Sequence, residues 1–106
     1  MAKYLHNVSY THQGLKGVAA KGGSAREKAA RDAVESVGGS VECFYFAFGE
    51  SDVVLITDFP DTASAAALTL AVGSSGGATV RTTVLLSSKD IDEAAKKTVS
   101  YVPPGN

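Results

Sequence analysis

The sequence predicts one α+β domain spanning residues 1–106, with four strands in an antiparallel sheet and helices on one side of it. Three observations lead there. Segments of period-two apolar alternation interleave with segments of helical spacing. Gly, Pro and Ser/Thr/Asp punctuation separates them. A chain of 106 residues leaves no room for a second domain, and folding buries roughly 65% of its unfolded surface.

The elements follow in order. Lys3 to Tyr10 reads as a strand, with Tyr4, His6, Val8 and Tyr10 on one face and Leu5, Asn7 and Ser9 on the other. Thr11 caps a short helical segment through Leu15 and Val18, which Gly22-Gly23 interrupts. Ser24 and Glu27 have capping-box spacing, so they restart the helix, and Ala30, Ala33, Val34 and Val37 form its apolar stripe. Gly38-Gly39 ends it.

Ser40 to Phe48 is the second strand, and Gly49-Glu50-Ser51 turns the chain into the third, Asp52 to Phe59. Strict alternation puts Phe44, Phe46 and Phe48 on one face, and Val41, Cys43, Tyr45 and Ala47 on the other. Pro60 stops the third strand. Asp61 or Thr62 caps a helix to about Val72, with Ala63, Ala66, Ala67, Leu70 and Ala71 as a smooth packing face. Thr79 to Ser87 is the fourth strand, and Ser88 or Asp90 caps a short final helix to about Thr98. The order is the split βαβ pattern of ferredoxin-like domains, βαββαβ with a short C-terminal helix. Right-handed crossovers put the helices on one side of the sheet.

That arrangement leaves the other sheet face uncovered, and parity assigns Phe44, Phe46, Phe48, Val54 and Ile56 to it, with Leu5 and Leu85. So large an apolar patch predicts a sheet-to-sheet homodimer. Higher assembly through sheet edges or the Pro103-Pro104 tail stays open.

Charge narrows the function. Ten basic and eleven acidic residues are interspersed, with no basic stripe for a phosphate backbone, so no nucleic acid is expected as a partner. No segment is apolar and long enough to cross a membrane, and the N-terminus carries no signal-peptide core. With Cys43 as the sole cysteine, the expectation is a soluble, cytoplasmic protein.

The residues Phe44-Tyr45-Phe46-Ala47-Phe48-Gly49-Glu50-Ser51-Asp52-Val53-Val54 resemble the GYD-domain family, named for a Gly-x-Tyr-Asp turn at this place. Tyr10-Thr11-x-Gln13-Gly14, the Pro60-Asp61 helix entry and Val80-Arg81-Thr82-Thr83 support the resemblance, which spans nearly the whole chain. Ser51 stands where the family usually has tyrosine. The resemblance implies membership of the dimeric α/β-barrel group. That group includes cofactor-independent monooxygenases, lactone-type isomerases, haem-degrading enzymes and effector-binding domains of regulators. The fold alone does not choose among these activities.

Several side chains have two readings. Arg81 points to the same face as Asn7, Ser9 and Thr83, where a guanidinium can hold a carboxylate, enolate or phenolate. Its alternative is an ion pair with Asp58, or with Asp52 across the dimer. Phe46 and its neighbours either line an apolar pocket or seal the dimer. Asn7, Ser9, Phe46, Arg81 and Thr83 are therefore the candidate ligand-binding residues. His6 reads as a structural histidine facing the helices, His12 as an exposed residue at a helix start, and Cys43 as a buried, inert thiol. Glu50 and Asp52 form a carboxylate pair on the turn, with Asp52 capping it. No metal-ligand spacing and no phosphate loop occurs, so no metal or cofactor is expected.

The expected function is small-molecule binding in a dimeric barrel. One form is a cofactor-independent enzyme of monooxygenase or isomerase type acting on a compact apolar or aromatic substrate. The alternative is a noncatalytic effector-sensing or protein-interaction module.

Overall fold

A computed structural model describes residues 2–105. The elements run β1 (Ala2–Tyr10), α1 (His12–Lys21), α2 (Gly23–Ser36), β2 (Ser40–Phe46), β3 (Val53–Phe59), α3 (Thr62–Ser74), β4 (Ala78–Leu85) and α4 (Ser88–Ala95). The four strands form one sheet in the order β2-β3-β1-β4, antiparallel throughout. This is the ferredoxin-like α+β fold, and the element order agrees with the sequence pattern.

Local chemistry sets the helix ends. Thr11 accepts the Gly14 amide and starts α1, and Asp61 accepts the Ser64 amide and starts α3. The expected capping box at Ser24 and Glu27 does not form. Gly22, at φ 87°, breaks the helix and α2 already begins at Gly23, so Ser24 sits inside the helix. Glu27 is free to accept from Arg31 one turn on, at 2.9 Å. A capping box is instead built at α4, between Ser87 and Asp90.

The core lies between α2, α3 and one sheet face. Tyr4, Val34, Phe59 and Ala65 are buried together, with Val37, Val41 and Leu68 packed around them. Phe59 meets the Tyr4 ring edge-on, with centroids 5.8 Å apart. Gly39 lets β2 begin there, because a Cβ on it would lie 2.6 Å from the Phe59 ring. The packing face of α3 is Ala65, Leu68 and Val72; the expected face of Ala63, Ala66, Ala67, Leu70 and Ala71 is exposed. With alanines nearly all round, α3 has no periodic signal to orient it.

The main departure is in β2. Val41 pairs with Thr57 and Cys43 with Ile56, so Glu42 is an extra residue in a β-bulge. Beyond it, Phe44 pairs with Leu55, Tyr45 with Val54 and Phe46 with Val53. Directly opposed residues share a face, so Phe44 and Phe46 turn toward the helices, and Cys43 and Tyr45 turn outward. Phe46 confirms its side by lying against Gly23 of α2. Phe48 lies beyond the strand at φ 51°, exposed, with its ring stacked on Phe46. One bulged residue therefore reverses the expected placement of the phenylalanine row.

The C-terminal part projects. No α4 residue is buried, and Ile91, Val99, Tyr101 and Val102 are exposed. The radius of gyration is 16.9 Å, against about 13 Å for a compact chain of this length.

Candidate functional site

The helix-covered sheet face does not close completely on its helices. A cavity of about 360 Å³ lies between the sheet and α1, α2 and α3. Its origin is side-chain size. Ala30 and Ala33 on α2 and Ala71 on α3 line it, and alanines are too short to fill the space above Leu55, Phe44 and Val80. The close approach of α1 to the turn before β4 shuts one side. A side chain at Gly14 would collide with the Gly77 carbonyl, and Gly77 also accepts the Thr11 amide at 3.0 Å.

His6 lines the cavity from the central strand β1 and is 1% exposed. Its Nε2 is 2.8 Å from Thr57 Oγ1 and its Nδ1 is 3.1 Å from Thr82 Oγ1. Thr82 in turn lies 3.1 Å from Thr69 Oγ1, which donates to the Ala65 carbonyl. Each hydroxyl has one proton, so the direction of this chain can be assigned. Thr69 uses its proton on Ala65, hence Thr82 donates to Thr69 and accepts from Nδ1–H. Thr57 then donates to Nε2, and the ring is neutral. Burial alone pushes its pKa down to about 4. The structural reading of His6 made from sequence holds, with both nitrogens satisfied.

Three further polar side chains, Tyr10, Arg26 and Ser75, line the cavity. Tyr10 is half-buried, and burial raises its pKa, opposed by the positive charge of nearby Arg26. The Tyr10 amide donates to Asp52 Oδ2 at 2.8 Å, and the Asp52 amide donates to the Val8 carbonyl. Asp52 thus ties the hairpin turn to the end of β1, where the sequence suggested that its carboxylate would cap its own turn. Arg26 and Tyr10 were not picked out from sequence. The available signal was the pair of small residues, Ala30 and Ala33, on the α2 stripe that also carries Val34.

The open face of the sheet carries the remaining candidates. One row crosses it as Tyr45, Val54, Asn7 and Arg81, and the next as Cys43, Ile56, Leu5 and Thr83. Arg81 Nη2 donates to Ser51 Oγ, and Ser51 donates to Asn7 Oδ1, each at 3.3 Å. Ser51, 6% exposed, is the hub of this group, and Arg81 makes no ion pair with Asp58. Asp58 is instead bound by Lys3, which also reaches Glu42. Asn7, Arg81, Thr83 and Ser9 therefore share a face, whereas Phe46 lies on the opposite one. Cys43 is half-buried on the open face rather than beneath the helices. His12 is exposed at the first position of α1, as expected. Among the described residues no three His, Cys, Asp or Glu side chains gather around a common point, and no helix is long and apolar enough to cross a membrane.

An antiparallel sheet covered by helices on one face, with a cavity under them and an apolar opposite face, defines a ferredoxin-like α+β domain. Within that class the chain belongs to the GYD domain family, which matches residues 4–95. No curated protein sequence matches it. Among solved structures it is similar to a transcriptional regulator from Neisseria meningitidis, crystallised as a complex with L-Met. The TM-score is 0.52 at 20% identity, over 98% of this chain and 57% of that one. This chain thus spans little more than half the regulator's length, and the likeness is one of fold.

Proposed function

We propose that this chain is a small-molecule-binding, effector-sensing module that takes a compact apolar ligand into its helix-side cavity. The cavity carries the reading: about 360 Å³, mostly apolar, with a few polar groups converging on it. That size is at the lower end of the range for small-molecule sites. In the same reading, two copies pair through the open face, where Leu5, Val54 and Ile56 have no cover and Tyr45 is 68% exposed. Asn7, Ser9, Arg81 and Thr83 then belong to the pairing surface, and Phe46 supports the wall near the start of α2.

The enzyme reading, of cofactor-independent monooxygenase or isomerase type, would use the same cavity. The geometry of His6 favours binding over catalysis, because a general base needs a free nitrogen and both of its nitrogens are engaged. The fold likeness to a regulator supports the sensing reading in the same direction.

The test is a fragment screen by thermal shift on the full chain and on Ala30→Phe. A ligand at about 100 times its Kd stabilises by about 2.7 kcal/mol, a shift on the order of 10 °C for a domain of this size. Hits should stabilise the parent and lose their effect in Ala30→Phe. Hits that stabilise both proteins equally place the ligand elsewhere and sink the cavity reading.

A further inference from the structure

Resting on the cavity reading, we infer that the site selects a compact apolar monocarboxylate, with its carboxylate at Arg26 and its body against Phe44, Leu55 and Val80. The argument is one of charge. Arg26 is the charged side chain among the described residues lining the cavity, and no Asp, Glu or Lys lines it. The cation is also uncommitted. The other two basic residues of α2 are paired one turn away, Lys28 with Asp32 and Arg31 with Glu27. Arg26 has Gly22, Gly23, Ala29 and Ala30 at the corresponding helical positions, so no carboxylate on its own helix can reach it. Its guanidinium makes no hydrogen bond or ion pair among the described residues.

The other polar groups fit the same occupant, Ser75 being engaged already, since it donates to the Val72 carbonyl and accepts from the Gly77 amide. Tyr10 lines the cavity with Arg26, and a phenol hydroxyl can donate to an anion. His6 is neutral and has both nitrogens occupied by threonines, so it offers the ligand neither a charge nor a free acceptor. An ammonium group would find no carboxylate among the lining residues, since Asp52 lies outside the lining with its Oδ2 taken by the Tyr10 amide, and would lie close to Arg26. A zwitterionic amino acid therefore gains at its carboxylate and loses at its ammonium, which is left unpaired beside an apolar wall. The same molecule without its amino group gains without that loss.

The experiment is calorimetric titration of the full chain with four probes sharing one phenylpropyl frame: 3-phenylpropionate, 3-phenylpropanol, 3-phenylpropylamine and phenylalanine. The carboxylate should bind roughly tenfold or more tighter than each of the others. Arg26→Gln should bring its affinity down to that of the alcohol, and Arg26→Lys should keep part of the preference. If carboxylate and alcohol bind equally, and both are lost in Ala30→Phe, the cavity reading stands and the anion selection is overturned. Tighter binding of the amine or of phenylalanine overturns it as well. If none of the four binds, the selection and the cavity reading fall together.

Discussion

Strand β3 supplies two surfaces with opposite fates. Toward the helices it sends Val53, Leu55, Thr57 and Phe59, all buried; outward it sends Val54, Ile56 and Asp58, all half-exposed. Both sets are largely apolar, so hydrophobicity alone does not distinguish them. Cover does. On the helix side, apolar area removed from water contributes to folding of the single chain, and a histidine is held neutral there. On the open side, similar area contributes only when a second surface meets it, and the charged groups Lys3, Glu42 and Asp58 gather at its margin.

The largest expected break in this comparison is on the covered side. Phe59→Ala removes a side chain with no exposed surface and should cost about 3–5 kcal/mol in urea unfolding. A loss below about 1 kcal/mol would show that the core collapses around the gap and that Phe59 does not anchor the layer.

His6 gives the next effect, and its sign follows from burial. Its folded-state pKa of about 4 lies below the ordinary 6.5, so the unfolded chain binds the extra proton first as pH falls. The stability tied to the neutral ring is fully present above pH 6.5 and is lost as pH falls toward 4. The total is on the order of 3 kcal/mol. Unfolding curves between pH 7 and 4.5 should show the decline in the parent, and His6→Gln should flatten it. An equal decline in both proteins would assign the pH dependence to carboxylates instead.

The smallest effect on folding belongs to the open side, where it sharpens the contrast. Ile56→Asp should change the stability of the folded chain by less than about 1 kcal/mol while abolishing self-association in sedimentation. Parent and variant sedimenting alike would remove the pairing surface from the proposal. A charge at Phe46 would not make the same test, since Phe46 lies against Gly23 of α2 and the substitution would disturb the chain itself.

Much of the fold was legible because strong local signals agreed with one another. The Thr11 and Asp61 caps, the Gly38 helix end and the alternation in β1 and β3 each specify an element from its own residues. The layout of the candidate site was less legible, for physical reasons that can be named. A bulge leaves no mark in a strand where Val41, Cys43, Phe44, Tyr45 and Phe46 are acceptable on either face. The orientation of α3 is hidden because alanine fits both a buried and an exposed position. The cavity is a property of facing surfaces, since Ala30 and Ala33 leave a void only in view of what lies opposite. His6 was readable as structural because its parity placed it under the helices, but its threonine partners come from β3 and β4 and have no local signature.

The extra residue in β2 also bears on which deletions the gene can tolerate. Loss of the codon for Glu42 leaves Val41 and Cys43 adjacent, each still on its present side, so the strand returns to plain alternation. Loss of Cys43 lets Glu42 take its outward place with the same result. The cost is confined to the contact with Lys3 in the first case and to the outward thiol in the second. Strand β3 has no such slack. A single deletion at Val54 would carry its neighbours to the wrong surface, exchanging the covered side for the open one. Adjacent strands of one hairpin thus differ sharply in the length changes they can absorb.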